Sequence, residues 1–416
     1  MKSTARFDRH SWLKRQARIQ RACVQIGLWY DSPMAYAVLV VSALLFELAI
    51  NLPIGTMPLL LTAEGTPRSI AALAMACGMF AALLFSVPAG ALADRFGRLP
   101  TIRLSAAAGV ASMLGLAFAH GPLWGGVLLG LRSMAIVAYM TAEFAYASEL
   151  AGKNRAVSGV ATLGMIGNLT FAVAPALSVF LWQHGIGREQ YTFGTVLAAA
   201  GAACLFALPA RHDVRTRKRA PILMHPRWLP AAAFILTTTL QGGVNGSLAV
   251  LTFQERGIVN GAAIFTASAL TAFALRYPAG RLVDIFGARA IALPTALFQA
   301  LGCLLAANAH SLAAVILAGA CLGTAWAAVV PVALGLLFEH SSSRTRGAAM
   351  GAYNLAFNAG AACGAGVATL VTLAGAGYAL AITLCAIAPL GVLPYVLRSA
   401  TGSRARVREV GVSYSP

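Results

Sequence analysis

The stretch Pro88–Gly97, PAGALADRFG, ends a long apolar run with a short burst of charge. A second stretch, Pro278–Gly287, reads PAGRLVDIFG and repeats the first 190 residues later, with seven of ten letters identical. Each copy lies at the end of the second apolar run of its half of the chain. The duplication therefore predicts that the chain consists of two related halves.

The composition is that of a membrane protein. Of the 416 residues, 59% are hydrophobic and 11% are charged, whereas about 25% of residues are charged in a soluble globular domain. Apolar runs of roughly 20 residues, long enough to cross a bilayer, recur along the chain and are continuous rather than alternating. Because backbone polar groups must be satisfied inside lipid, we expect these runs to be helices rather than barrel strands.

Twelve spans are predicted, six in each half. They cover 36–61, 69–93, 100–119, 122–147, 156–183, 191–210, 228–253, 261–283, 290–308, 311–337, 347–373 and 377–397. The expected domains are a basic N-terminal tail, a six-helix bundle, a linker, a second six-helix bundle and a C-terminal tail, over residues 1–33, 34–210, 211–227, 228–397 and 398–416.

The basic residues report topology rather than a nucleic-acid partner. If the N terminus is cytoplasmic, nearly all Lys and Arg outside the spans fall on the cytoplasmic side, and only Arg68, Arg188 and Arg256 fall outside. This is the positive-inside bias of a multi-pass protein with both termini in the cytoplasm. We expect a bacterial inner membrane location, with membrane lipids around the protein and no nucleic acid bound.

The repeated stretch also resembles a known family. The first copy is similar to the signature loop between helices two and three of the major facilitator superfamily, through Gly90, Asp94, Arg95, Gly97 and Arg98. The second copy is similar to the matching loop of the second half, through Gly280, Asp284 and Gly287. The resemblance covers the whole chain and implies an all-α membrane protein with twelve transmembrane helices in two pseudo-symmetric six-helix bundles.

We expect the repeated loops to act as a conformational latch. Gly90 would permit close approach of helices and Gly97 a tight turn. Asp94 could contact the N-terminal end of a neighbouring helix or a nearby arginine, and such contacts would break as the halves rock. The alternative is a solvated hairpin whose charges only set topology.

Glu47, in LLFELAIN of the first span, is the leading candidate for carrying a coupling proton. A charge inside the membrane costs several kcal/mol and usually faces a cavity or a partner. Asn51 lies one helical turn away on the same face. The alternative is a structural acid neutralised by a hydrogen bond to a neighbouring helix.

Arg132 is the expected counterpart of Glu47 in proton coupling. It lies ten residues into the fourth span, about 15 Å deep at 1.5 Å per residue, and its position is similar to the fourth-helix arginine of proton-coupled exporters in the family. Tyr139 and Glu143 share its face and extend a polar track, although Glu143 could instead lie at the membrane surface.

The expected substrate cavity is lined by spans one, four, seven and ten, as the resemblance implies. Its candidate residues are Asn51, Tyr139, Gln241, Asn245, Arg276 and Trp326. A snorkelling side chain is the alternative for Arg276. If Arg132 and Arg276 both face the cavity, the substrate should carry negative or electron-rich oxygen groups. Asn354 and Asn358 could instead join helices, and Gly360-x-x-x-Gly364 predicts close helix packing.

These features predict a secondary active transporter working by alternating access, with proton-coupled efflux of a small organic compound such as a drug-like molecule or a siderophore. Pro175, in LTFAVAPALSVFL, matches the helix-five motif of exporters, but Thr170, Ala174, Ser178 and Val179 stand where that motif prefers glycine. Proton-coupled uptake of an organic anion or a sugar-like nutrient is the alternative.

A non-transporting membrane enzyme is a distant third possibility, because the sequence contains no phosphate-binding loop after a strand and no metal-ligand spacing. We expect no catalytic residue, no metal and no cofactor. The expected ligands are the small-molecule substrate and protons, and the expected working unit is a monomer.

Overall fold

The computed structural model describes residues 33–150, 156–208, 225–339 and 346–398. The expected C-terminal tail beyond 398, nearly all of the basic N-terminal tail and most of the linker therefore lie outside the described residues.

Twelve long helices make up the described part of the chain. The first six are α1 (Pro33–Ala63), α2 (Arg68–Phe96), α3 (Arg98–Phe118), α4 (Pro122–Leu150), α5 (Ala156–Gln183) and α6 (Glu189–Cys204). We number as α7 the span formed by Leu229–Val244, a π-helical turn Asn245–Ala249 and Val250–Glu255. The last five are α8 (Ala263–Phe286), α9 (Ala288–Ala307), α10 (Leu312–Phe338), α11 (Arg346–Leu373) and α12 (Tyr378–Arg398).

The helices form two six-helix bundles with the same internal arrangement. In the first bundle α2 packs on α4, and α1 packs on α5 and α6; in the second, α8 packs on α10, and α7 packs on α11 and α12. The bundles meet where α2 contacts α11 and where α5 contacts α8. These two contacts are equivalent under the repeat, so the prediction of twelve helices in two pseudo-symmetric halves is confirmed.

Eleven of the twelve helices are long and apolar enough to cross a membrane by length and composition. The exception is α8, which carries Arg276 in its interior and Arg281 and Asp284 near its end. An arginine within a span usually faces the bundle interior, a water-filled cavity or a partner.

Two glycines end α2 and α8 in the same way. Gly97 has φ 93° and Gly287 has φ 84°, a backbone conformation that L side chains rarely adopt. The Gly97 N–H donates to the carbonyl of Ala93 and the Gly287 N–H to that of Val283, so each repeat closes one helix and turns directly into the next. We call this end of the molecule the Gly97 side.

The other latch residues have different surroundings from those expected. A Cβ at Gly90 or Gly280 would meet no described atom within 4 Å, so Gly90 makes no close helix contact with the described residues, unlike the expectation from the sequence. Arg95 and Asp284 are exposed, and the side chain of Asp94 lies outside the described part. In the second half, Arg289 pairs with Glu339 at 2.8 Å and joins the start of α9 to the end of α10.

The opposite end of the first bundle is held together by Glu64, and we call it the Glu64 side. Arg188 donates from Nε to Glu64 Oε1 at 2.8 Å, and His120 Nδ1 and the Gly121 N–H also contact the Glu64 carboxylate, at 3.1 and 3.2 Å. The Arg188 guanidinium also donates to the carbonyls of Leu116 and Ala119 at the end of α3. Three hairpin connections of the bundle therefore meet at one ion pair.

We expect this cluster to make stability pH-dependent. Partial burial raises the pKa of Glu64, but hydrogen bonds from Arg188, Gly121 and His120 outweigh burial and hold the pKa below its ordinary value of 4.5. A depressed folded-state pKa adds stability above the unfolded value that is lost as the pH falls through the folded one. Thermal unfolding in detergent should show the parent more stable than Glu64→Gln at neutral pH, with the difference shrinking below about pH 4.5.

The matched control for this prediction is Glu189→Gln, which removes an exposed acid at the start of α6. Its melting temperature should lie close to that of the parent at neutral pH. A Glu64→Gln protein as stable as the parent at neutral pH would show that the cluster adds nothing to folding.

α7 and α11 of the second bundle pack closely against each other. A Cβ at Gly364 would overlap the carbonyl of Leu240, and one at Gly243 would overlap the carbonyl of Ala361. A Cβ at Gly360 would overlap the side chain of Thr239. The prediction that Gly360-x-x-x-Gly364 serves close helix packing is confirmed.

Several described contacts between the two bundles lie toward the Glu64 side. Arg68 at the start of α2 pairs with Glu255 at the end of α7. Thr266 of α8 donates to the carbonyl of Ala172 of α5 at 2.7 Å, and beside it the rings of Phe171 and Phe265 meet edge to face, 5.7 Å apart. The halves are therefore closed against each other at this side.

Candidate functional site

A cavity of about 410 Å³ lies between the two bundles. This volume falls in the range that suits a small organic ligand. The cavity is lined by residues of both halves, with polar groups from Glu47, Asn51, Asn168, Thr239, Gln241, Asn245 and Ser268 and bulky apolar groups from Met79, Met140, Phe171, Phe265, Trp326 and Phe357. Glu47 is the one charged side chain among the described residues of the lining.

The Glu47 carboxyl group contacts α5, and only one of its two oxygens has a hydrogen-bond partner among the described residues. Its side chain is almost fully buried, and Thr170 donates to Oε2 at 3.3 Å. Oε1 has no hydrogen-bond partner among the described residues. A Cβ at Gly167 would sit 3.2 Å from Oε2, so glycine at that position leaves the carboxyl its room. Neither Thr170 nor Gly167 was singled out as a partner of Glu47 from the sequence, because the pairing crosses about 120 residues.

Asn51 joins the same group. Its amide donates to Thr170 Oγ1 at 3.5 Å, and both Asn51 and Glu47 line the cavity. The one-turn spacing on α1 therefore places both side chains in one polar cluster facing the ligand space.

Arg132, unlike Glu47, is not part of the lining of the main cavity. Its Nη1 donates to the carbonyl of Ile50 at 2.5 Å, one turn along α1 from Glu47. No ion pair within 4.0 Å joins Arg132 to an acid among the described residues, and its buried Nε has no partner there. Arg132 lines a pocket of about 80 Å³ that adjoins the main cavity, with Met79, Phe171 and Gly242 common to both linings.

Tyr139 is packed inside the first bundle, outside the lining of the main cavity. Its ring stacks on Phe46 with centroids 4.3 Å apart, and its hydroxyl meets Ser42 Oγ at 3.1 Å. Because Ser42 donates its own hydrogen to the Gly201 carbonyl, Tyr139 is the donor to Ser42. The expected cavity position of Tyr139 thus differs from its place in the structure, since α4 turns this face toward α1 and α6.

Glu143 lies one turn beyond Tyr139 and is fully buried. Neither of its carboxyl oxygens has a hydrogen-bond partner among the described residues. It is close enough to Glu47 and to Tyr139 for their charges to interact with its own. Two acids, Glu47 and Glu143, therefore share the interior of the first bundle without a described basic partner.

The second half contributes a chain of amides. Asn245 donates from Nδ2 to Gln241 Oε1 at 2.7 Å, and Tyr378 of α12 donates to Asn245 Oδ1 at 2.7 Å. Both amide residues line the cavity. Since the Gln241 oxygen is occupied, its NH₂ group remains the part able to donate to a ligand. Asn245 begins the π-helical turn, a feature that often marks functional sites in helices.

Trp326 and Phe357 form an aromatic wall, with ring centroids 5.6 Å apart. Trp326 is thus a cavity residue, as the sequence suggested, whereas Phe357 was missed because nothing in α11 distinguishes it from a core aromatic. Arg276 lies beside Tyr353 and does not line the cavity. Asn358 donates to Ser86 at 3.1 Å, so it joins α11 to α2 across the two halves.

The described residues contain no group of three or more His, Cys, Asp or Glu that could hold a metal ion. The chemistry that the site offers is hydrogen bonding, aromatic contact and the gain or loss of a proton at Glu47.

The sequence matches a known protein family. The family model described as Major Facilitator Superfamily matches residues 39–259 and again residues 231–411. A comparison with curated protein sequences found no match.

Solved structures resemble the fold at low identity. The nucleoside transporter NupG is 14% identical with a TM-score of 0.69, over 89% of this chain and 100% of that one. The human organic anion transporter MFSD10 is 19% identical with a TM-score of 0.62, over 87% of this chain and 98% of that one. A mutant of the peptide transporter POT is 12% identical with a TM-score of 0.71, over 89% and 94%. At these identities the likeness concerns the fold.

Proposed function

Because the chain belongs to the Major Facilitator Superfamily, we propose that this transporter is a proton-coupled exporter of a small organic compound, working by alternating access. Candidate substrates are a drug-like molecule or a secreted metabolite such as a siderophore. The family and the transporter fold mark the protein as a transporter rather than an enzyme.

The observation that carries the proposal is Glu47. Among the described residues it is the charged group of the cavity lining, one of its oxygens has no hydrogen-bond partner there, and it faces the ligand space. An uncompensated carboxylate buried in a membrane protein costs several kcal/mol, and a proton or a ligand donor removes that cost. Proton and substrate would therefore compete for Glu47, which couples their movements in opposite directions.

The lining indicates the class of substrate. With aromatic and methionine side chains, amide donors and one acid, the cavity suits a neutral or cationic organic molecule with a planar apolar part. Arg132 and Arg276 do not line it, so the condition under which we expected an electron-rich substrate is not met by this cavity. This favours export of an amphipathic compound over uptake of an organic anion.

The packing of α5 on α1 supports the resemblance to exporters. A Cβ at Gly55 of α1 would come within 2.5 Å of the Pro175 carbonyl. The close approach that exporters' motif glycines would provide from α5 is supplied here by Gly55 from the opposite helix. The substitutions at Ser178 and Val179 therefore leave the α1–α5 contact intact.

We place the Gly97 side and both termini in the cytoplasm, in a bacterial inner membrane, from the distribution of basic residues. With the Gly97 side in the cytoplasm, the Glu64 side is the outer side. The contacts there close the transporter on its outer side in this structure. In that state the substrate would enter from the cytoplasm, and Glu47 would release its proton to the cytoplasm. The transporter would work as a monomer, since both halves of the site come from one chain.

Vesicle transport tests the direction and the coupling together. Everted membrane vesicles with an acidic interior should accumulate the substrate, and an uncoupler should abolish the accumulation. Accumulation confined to right-side-out vesicles with an acidic exterior would instead establish proton-coupled uptake. Transport that ignores the gradient would overturn proton coupling altogether.

A further inference from the structure

The pocket beside Arg132, which we call the Arg132 pocket, adjoins the main cavity and shares Met79, Phe171 and Gly242 with its lining. Its volume is about 80 Å³, and a water molecule takes about 30 Å³ of liquid volume, so a compact ion with a water would fit. The lining is apolar apart from Arg132 and Ser133, which both come from α4.

The charge in this pocket is uncompensated. Arg132 is about nine-tenths buried, its Nε has no partner among the described residues, and one carbonyl, that of Ile50, accepts from Nη1. Glu47 does not line the pocket and neither does another acid among the described residues. A guanidinium cannot discharge in a protein, so a cation buried in this way calls for an anion.

The pocket is also built from both halves of the transporter. Arg132 and Ser133 of α4 and Gly78 and Met79 of α2 face Gly242 and Gly246 of α7. A Cβ at Gly246 would come 2.9 Å from the Met79 Cε, so glycine lets α7 approach α2 closely here. Separation of the halves at the Glu64 side would open the pocket.

We propose that the Arg132 pocket binds a compact monovalent anion, with the Arg132 guanidinium and the Ser133 hydroxyl as donors. The anion is a free halide such as chloride or a small carboxylate group, because both offer one negative charge in a volume that the pocket holds. Binding stabilises the state closed at the Glu64 side, since the pocket is complete only when α7 packs against α2 and α4. The inference does not depend on proton coupling.

Thermal unfolding of the purified full-length protein tests this proposal. At constant ionic strength, the melting temperature should rise saturably when sodium gluconate is replaced by sodium chloride, because a ligand that binds only the folded protein stabilises it by mass action. Arg132→Gln should lose the effect, and Arg132→Lys should retain part of it. Arg276→Gln, which alters an arginine outside the pocket, should keep the full chloride effect.

Sodium formate in place of sodium chloride distinguishes a carboxylate from a halide as the bound anion. A rise with chloride identifies a free halide as sufficient, and a rise with formate alone identifies a carboxylate. Equal melting temperatures of the parent in gluconate, chloride and formate would overturn the proposal, as would an unchanged effect in Arg132→Gln. If that variant does not fold, saturable binding of radiolabelled chloride or formate to the parent decides the matter, and its absence for both overturns the site.

Discussion

Replacing Glu47 by Gln should abolish substrate-evoked proton movement in proteoliposomes. We expect the rate of proton movement to fall by at least about tenfold, which corresponds to about 1.4 kcal/mol of activation free energy. Glutamine keeps the size of the side chain and can still accept the hydrogen bond from Thr170, but it cannot take up or release a proton. A pH-sensitive dye trapped inside the vesicles measures the effect directly.

The loss should be specific to the proton. Exchange of labelled for unlabelled substrate across the membrane should persist in Glu47→Gln with a weaker substrate affinity, because the carboxylate that binds the substrate is lost while the rest of the lining is unchanged. Glu189→Gln, which removes an exposed acid outside the cavity, should behave as the parent does. Stoichiometric proton movement in Glu47→Gln would remove this residue from coupling.

Glu143→Gln provides a second comparison within the same bundle. Glu143 is buried outside the cavity lining, and neither of its carboxyl oxygens has a partner among the described residues, so we expect its loss to slow proton movement while substrate affinity stays close to that of the parent. If Glu143→Gln abolished proton movement and Glu47→Gln did not, the coupling acid would be Glu143.

Replacing Gly364 by Ala should be the most damaging of the small substitutions in the second bundle. The added Cβ would overlap the Leu240 carbonyl of α7, and backbone cannot move aside as a side chain can. Overpacking of this kind typically costs about 1–3 kcal/mol. We expect a clear fall in melting temperature and, because α7 carries Gln241 and Asn245, weaker substrate binding as well.

The matched control is Gly366→Ala, two residues along the same helix. A Cβ there would lie 3.7 Å from Phe80, an ordinary contact, and alanine is favoured over glycine inside a helix by roughly 0.5–1 kcal/mol. This variant should be neutral or slightly more stable than the parent. Equal losses in the two variants would show that the α7–α11 contact does not set the outcome, because helix propensity favours alanine at both positions.

The fold followed from the sequence because its signals are local and repeated. Apolar run lengths gave the helices, and the two copies of PAGxLxDxFG gave the halves, with Gly97 and Gly287 each at a turn that requires positive φ. The glycine spacing at 360 and 364 likewise predicted close packing without identifying the partner helix.

The site was only partly predictable, because its contacts join residues far apart in the chain. Asn51, Gln241, Asn245 and Trp326 line the cavity, and they were chosen from one-turn spacing together with the spans that the family resemblance implies for the cavity. Tyr139 and Arg276 lie elsewhere, since the rotation of α4 and α8 toward their neighbours is not written in either helix alone. The bond from Tyr378 to Asn245 spans 133 residues, and no local pattern could have indicated it.

The central claim is that the two bundles alternate around the Glu47 cavity, and a distance measurement across the Glu64 side tests it most directly. Spin labels at Ala63→Cys and Val259→Cys, both exposed and on opposite bundles, would be placed in a protein whose native cysteines are replaced. Pulsed electron paramagnetic resonance in proteoliposomes should show a short distance in the resting state and a second, longer one that gains population when substrate or a proton gradient is supplied. A single short distance under every condition would contradict the account.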